Sequence, residues 1–192
     1  MLSFLCALTI GVVVASFRVS PVGSLRLVGA TFVEVFRNIP LPVQFVLFFF
    51  GLTKIGIKYG PFTSAVIVLS IYTGSFIAES VRSGINAVSG GQAEAARSLG
   101  LGFVQTLWLI VLPQALRTVV APVGSLFIAL TKNSAIASTI GVAELTYVGD
   151  HVGNDLALPL EALIGSAIGY LIITYPSGLL LGVLERRVAI KR

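Results

Sequence analysis

Long apolar runs joined by short polar connections make up almost the whole chain. Five runs, 1–17, 24–52, 61–88, 113–132 and 156–184, read as membrane-crossing helices, because a helical span needs about 20 apolar residues. The first, Leu2–Phe17, has 16 residues and is short for a span. No basic region precedes it and no small-residue cleavage site follows, so it does not read as a signal peptide. The expectation is a first helix truncated at its N-terminus, with further residues ahead of Met1 or an earlier start. The second run is broken at Pro40-Leu41-Pro42. Proline removes backbone donors, so such a break needs protein or water around it. This run is expected to start as a short helix along the membrane surface and then turn inward.

Composition excludes the soluble alternative. The chain is 56% hydrophobic and 11% charged, with a mean hydropathy of +0.98. A soluble domain carries about 25% charged residues to coat its surface. A bilayer removes that requirement, so the pattern predicts one all-α, polytopic transmembrane domain over residues 1–192. No appended soluble domain, solenoid repeat or low-complexity segment interrupts it.

The net charge of +5 does not point to nucleic acid, since no basic cluster is interleaved with aromatics. Basic residues lie between the apolar runs, where they orient membrane proteins. With the first connection in the cytoplasm, ten of thirteen fall inside: Arg18, Arg26, Arg37, Arg82, Arg97, Arg117, Arg186, Arg187, Lys191 and Arg192. Lys54, Lys58 and Lys132 fall outside. The N-terminus is then outside and the C-terminus cytoplasmic, which requires an odd number of spans. Small residues recur at four-residue spacing in Gly11/Ala15, Gly74/Ala78 and Gly165/Gly169, as helix packing in membranes requires. The single Cys6 permits no internal disulfide. No metal-ligating cluster, nucleophile–base constellation or phosphate-binding Gly-x-x-x-x-Gly-Lys loop is present, so the chain reads as a non-enzyme that cannot hydrolyse ATP itself.

The largest connection carries the most informative residues. Gln92–Leu99 is rich in helix formers, and Gly100 stands where a left-handed cap would end the helix. Gly102–Val111 makes a second helical stretch, and Pro113 opens the next span, where its missing donor costs least. Two short helices meeting at a glycine form an elbow over residues 91–112, with an alanine face able to seat in a partner's groove. Glu94 is placed in the first turn, favoured by the helix dipole. It is also spaced to pair with Arg97, which would leave the segment an ordinary solvated loop.

Glu94-Ala95-Ala96, three residues, Gly100, nine residues, then Ile110-x-Leu112-Pro113 resembles the EAA loop of ABC-importer permeases at every fixed position. The resemblance implies the type I permease core, about five spans, and a coupling helix carried by Gln92, Glu94, Ala95, Ala96, Arg97, Gly100, Leu112 and Pro113. It also implies the partners: a cytoplasmic ABC ATPase dimer holding ATP and Mg, a second permease of different sequence, and an extracytoplasmic amino-acid-binding protein. No cofactor falls to this chain. The resemblance covers nearly the whole sequence. Arg37–Gln44 is similar to the Arg-Gly-Thr-Pro-Leu-Leu-Val-Gln stretch of the polar-amino-acid subfamily, departing at Asn38, Ile39 and Pro42. Glu79–Ile85, Leu112–Arg117, Leu130–Ser134 and Ile140–Leu145 match further segments. Ser83–Asn86 and Gly91–Phe103 most resemble glutamate-uptake permeases, with glutamine, aspartate or a basic amino acid as alternatives. An ion-gradient transporter is the rival class; it would place acidic or histidine residues in mid-span.

Two further groups are singled out. Glu79 and Arg82 are one turn apart and read as a structural ion pair, as do Glu34 and Arg37. Lys132, Asn133 and Ser134 follow Pro113 by about 30 Å at 1.5 Å per residue, and are expected at the outer mouth. There they would either meet a substrate carboxylate or, for Lys132, snorkel to the interface.

Overall fold

The computed structural model describes residues 1–188; Lys191 and Arg192 lie outside the described residues. The chain folds into α1 (Leu2–Val19), α2 (Gly23–Asn38), α3 (Leu41–Val46), α4 (Leu52–Lys54), α5 (Pro61–Asn86), α6 (Gly90–Ser98), α7 (Phe103–Thr106), α8 (Leu112–Asn133), α9 (Leu145–Asp155) and α10 (Pro159–Val188). π-helical turns at Leu47–Gly51 and Leu107–Val111 link α3 to α4 and α7 to α8, and a 3-10 segment, Ser134–Ile140, follows α8.

α5 is the centre of the bundle, and small residues let its neighbours approach it. A Cβ on Gly11 would lie 2.5 Å from Ile77 Cγ2, and one on Gly74 would lie 2.9 Å from Ile10 Cγ2. Ala15 and Ala78 are buried in the same seam. The small-residue pairs of α1 and α5 are thus a packing device, whereas Gly165 of the third pair faces open space. Ser3 touches Ser70, Gly11 touches Ile77 and Arg18 touches Glu79, so α1 and α5 run parallel. On the other side Gly84 meets Thr118 and Val119, while Leu130 and Asn133 share a cavity with Tyr72 and Thr73. α8 is therefore antiparallel to α5. Leu181 against Gly124 and Gly178 near Ile128 make α10 antiparallel to α8.

This topology decides what the broken second run does. The pair Gly23–Asn38 and Leu41–Lys54 is bent by 103°. Because α1 and α5 run the same way, the chain between them must return across the same distance, so the bent pair is one crossing and the spans number five. Its first half does not lie along the surface as expected. Val33 packs with Val14, Ala15 and Ala78, and the Arg37 guanidinium stands 4.9 Å over the Phe76 ring. α2 thus climbs beside α1 and α5 to about halfway along α5 before it bends. Gln44 makes the bend tolerable: its Nε2 donates to the Phe36 and Ile39 carbonyls at 2.8 and 2.9 Å. These acceptors, freed around Pro40, would otherwise be unsatisfied in hydrocarbon.

The fourth span also differs from expectation. Pro113 is the second residue of α8, but the helical run is continuous over the 37 residues Val104–Ile140, about 55 Å long. The wider π-helical turn, Leu107–Val111, ends one residue before Pro113, easing the crowding that a proline ring imposes on the turn before it. Residues 104–114 extend past the level of Gly84, so the second arm of the elbow is the foot of the fourth span.

Gly84→Leu, which collides with Val119 and with the Ala115 carbonyl, is expected to destabilise the fold by about 1–3 kcal/mol. Gly165→Ala, with no atom within 4 Å of its added carbon, should not destabilise the fold and should raise stability by up to about 1 kcal/mol through helix propensity. Thermal unfolding of the two variants in detergent checks the contrast.

Candidate functional site

The elbow is built by two terminal devices. α6 ends in a Schellman motif: the Leu101 N–H donates to the Ala96 carbonyl at 3.2 Å and the Gly100 N–H to the Arg97 carbonyl at 2.9 Å. That closure needs a left-handed residue, and Gly100 has φ +83°. The next arm starts with Gln105 reaching back, its Oε1 accepting from the Gly102 N–H at 3.0 Å, which is half of a capping box. Ala96 is buried against the second arm, and Ala93 and Arg97 line a cavity of about 180 Å³ with Thr106, Leu107 and Val111. Gln92, Glu94, Ala95 and Arg97 are exposed, and Leu99 at the tip is 83% exposed.

Glu94 departs from both local readings. It is the fifth residue of α6, beyond the first turn. It makes no ion pair among the described residues; Arg97 Nε instead donates to the Ala93 carbonyl at 3.3 Å. Glu94 is left exposed on the elbow, while Arg97, also exposed, borders the cavity between the two arms.

At the elbow end of the bundle, Glu79 is the hub of a three-member ion cluster. It pairs with Arg82 on its own helix, with Nε at 3.2 Å, and with Arg18 of α1. Sequence reasoning found Glu79 and Arg82 but missed Arg18. The signal was there, since both groups end their spans on the same side. Glu34, by contrast, does not pair with Arg37; it accepts from Asn38 Nδ2 at 3.2 Å.

Lys132, Asn133 and Ser134 lie deeper than expected. Asn133 lines a cavity of about 90 Å³ with Tyr72, Thr73, Phe76, Leu126, Ala129 and Leu130, level with the middle of α5. Counting from Pro113 misplaced them because the fourth span begins below the bundle. Ser134 Oγ donates to the Thr131 carbonyl at 2.7 Å, whereas Lys132 is exposed and unpaired among the described residues. Thr118, Pro122, Ser125 and Lys132 form an exposed stripe of polar and small residues at helical spacing along α8. The opposite side of α8 packs Val120, Val123 and Phe127 beside α10. At the far end Glu144 caps α9 through the Thr146 and Tyr147 N–H groups and accepts from the Tyr170 hydroxyl, tying α9 to α10. Among the described residues, the hydrogen-bond partner of His151 is the Tyr147 carbonyl one turn back on α9, 2.9 Å from its Nδ1.

The family model described as "Binding-protein-dependent transport system inner membrane component" matches residues 7–190. The chain belongs to that family. Among curated relatives, it is 38% identical over 179 residues to the probable glutamine ABC transporter permease protein GlnM of Bacillus subtilis, covering 93% of this chain and 83% of that protein. It is 41% identical over 199 residues to the glutamate transport system permease protein GluC of Corynebacterium glutamicum, covering 97% and 87%. A solved structure titled as an amino acid ABC transporter with histidines superposes with a TM-score of 0.93 at 35% identity, over 97% of this chain and 87% of that one. This member of the inner membrane component family is thus an amino acid ABC permease, all-α and multi-pass, and a transport subunit.

Removing the hub carboxylate should leave Arg18 and Arg82 facing each other. Glu79→Ala is expected to destabilise the permease by about 1–3 kcal/mol, between the exposed and buried ranges for a broken pair. Arg18→Ala should cost less, because Glu79 keeps Arg82. Thermal unfolding of the two variants, purified in parallel, checks the order.

Proposed function

We propose that this chain is the permease of an ATP-driven glutamate importer, with the elbow as its coupling helix. It sits in the cell membrane with its N-terminus outside and its C-terminus cytoplasmic. A second permease of different sequence pairs with it, and an external binding protein delivers the amino acid. Two cytoplasmic ATPases, which hold the ATP and Mg, drive alternating access. One observation carries the reading. The capped α6 projects from the foot of a helix that continues without a break to the level of Asn133. An ATPase that grips Gln92, Glu94, Ala95 and Arg97 therefore moves the fourth span directly. Leu112 and Pro113 lie in the joint between arm and span.

The exposed stripe on α8 supports a substrate path along this face, completed by the second permease. Lys132 stands in it halfway through the bundle, with Asn133 beside it at the α5 cavity; Ser134 is turned to the other side of α8, toward Tyr170 of α10. An unpaired cation at that depth is costly in lipid and marks a hydrated path. The ion-gradient rival needs a free acid or histidine in mid-span, and Glu79 is already held by Arg18 and Arg82. Glutamate is favoured by the resemblance of Ser83–Asn86 and Gly91–Phe103 to glutamate-uptake permeases.

Glu94→Lys and Gly100→Pro should abolish uptake and substrate-stimulated ATP hydrolysis while membrane insertion remains normal; proline cannot adopt the φ of +83° that Gly100 holds. Both are measured in vesicles with matched permease content, and retained coupling in either variant counts against the elbow. Asn133→Ala should lower uptake about tenfold, the loss of one hydrogen bond to a charged group. Unchanged uptake at equal expression would take that residue out of the path.

A further inference from the structure

A groove of about 440 Å³ runs between α8 and α10. Val120, Gly124 and Phe127 form one wall, Leu181 and Leu184 the other. Phe4 of α1 stands at the end away from the elbow, its ring edge-on to Phe127 with centroids 5.0 Å apart. The groove opens on lipid. α10 packs on α8 and α9, and an apolar stretch of 18 residues along it contains none that is buried. The polar stripe of α8 lies on the other side of that helix. One turn toward the elbow, the groove face of α8 continues to Arg117 and that of α10 to Arg187. Gly124 meets Leu181 and Gly178 lies near Ile128, a register that brings the two arginines level to within about one residue. Both are exposed, and neither is in an ion pair among the described residues. Glu185 lies about 160° round α10 from Arg187. Thr118, beside Arg117, touches Gly84 near the end of α5, so the arginines stand where the bundle leaves the hydrocarbon on the elbow side.

We infer that an anionic phospholipid of the cytoplasmic leaflet binds at this groove, with one acyl chain between α8 and α10 and its phosphate on Arg117 and Arg187, and that it bridges the two helices. The inference rests on the proposed orientation, which puts the elbow in the cytoplasm. The two halves of the site match the two halves of the ligand. The walls are apolar from Phe127 to Leu184, so a chain buries its methylenes along them. A guanidinium fits a phosphate with two parallel hydrogen bonds, and basic residues between helices at the cytoplasmic side hold anionic headgroups. A zwitterionic lipid brings a cation of its own to the same two arginines and gains less. The proposed path puts the second permease on the striped side of α8, which leaves lipid as the neighbour at the groove. The bound lipid joins the fourth span, which carries the elbow, to α10, which does not. Its presence sets how the fourth span is held against α10 when the ATPases act.

The test uses the whole transporter, with both permeases, ATPase and binding protein. Native mass spectrometry counts the lipids it retains after titration with phosphatidylglycerol or phosphatidylcholine of equal chain length. Wild type should retain phosphatidylglycerol at the lower concentration. Arg117→Gln and Arg187→Gln should each weaken that retention about fivefold, the share of one basic residue near a headgroup, and about twentyfold together. Ser177→Trp, which fills the groove and leaves both charges, should weaken it as well. In nanodiscs, substrate-stimulated ATP hydrolysis should be higher in phosphatidylglycerol than in phosphatidylcholine for wild type and equal in the two lipids for the double variant. Equal retention of the two lipids by wild type overturns the inference, as does wild-type retention of phosphatidylglycerol in the double variant or in Ser177→Trp. Crosslinking of Leu184→Cys to the second permease in high yield also overturns it, since protein then covers the groove. Wild-type hydrolysis that is indifferent to the lipid overturns the bridging role. Arg187→Cys in a Cys6→Ser background, labelled with an impermeant maleimide in vesicles of either sidedness, checks the orientation separately. Labelling from outside overturns the cytoplasmic leaflet together with the proposed orientation. Labelling from the cytoplasmic side alone, with no preference for phosphatidylglycerol, overturns the lipid site and leaves the orientation standing.

Discussion

The close approach of α1 and α8 to α5 sets the position of everything else in this permease. In lipid no hydrophobic force drives helices together, so contact depends on van der Waals packing between backbones that small residues bring near. Gly11 and Gly74 on one side and Gly84 on the other leave no room for a side chain. A slip of one residue would push Ile77, Ile10 or Val119 into a backbone. The register is therefore single-valued, and it fixes the depth at which each polar group sits.

Depth in turn gives the polar groups their meaning. The seam with α1 brings Arg18 to Glu79 and closes an ion cluster near the elbow side of the bundle. The antiparallel seam with α8 brings Asn133 to Tyr72 and Thr73 and leaves about 16 Å of helix below Ala115. That overhang is the second arm of the elbow. Since the run from Val104 to Ile140 is helical throughout, with a π-helical turn at its foot and Pro122 within α8, a displacement at the elbow would reach the cavity along one helical element instead of a chain of loops. Packed interfaces have discrete arrangements rather than continuous ones, which would suit the alternating access proposed for this permease.

Local features were legible in the sequence, and those that depend on register were not. The five runs, the bend at Pro40 and the glycine at the end of α6 follow from hydropathy and backbone stereochemistry within a few residues of each site, and the structure has them. The paths of α2 and α8 follow from contacts with α5, which no single segment encodes. Counting rise from Pro113 therefore put Lys132 at the outer mouth, and the break at Pro40 suggested a first half lying along the surface. The pairing of Glu94 with Arg97 failed for a different reason. An i,i+3 spacing permits a pair but contributes only a few tenths of a kcal/mol, too little to hold two exposed side chains together.

Spin-label distances on one permease within the assembled transporter test rigid transmission most directly. Labels at Val104 and Thr139, both exposed, report the length of the rod, about 50 Å; a second pair, Val104 and Phe62, reports its motion against α5. On binding a non-hydrolysable ATP analogue, the first distance should stay constant while the second shifts by several ångström. A first distance that changes or broadens, as it would if the helix bends at its π-helical turn, or a second that does not move, would contradict the transmission of force from the elbow to the mid-membrane cavity.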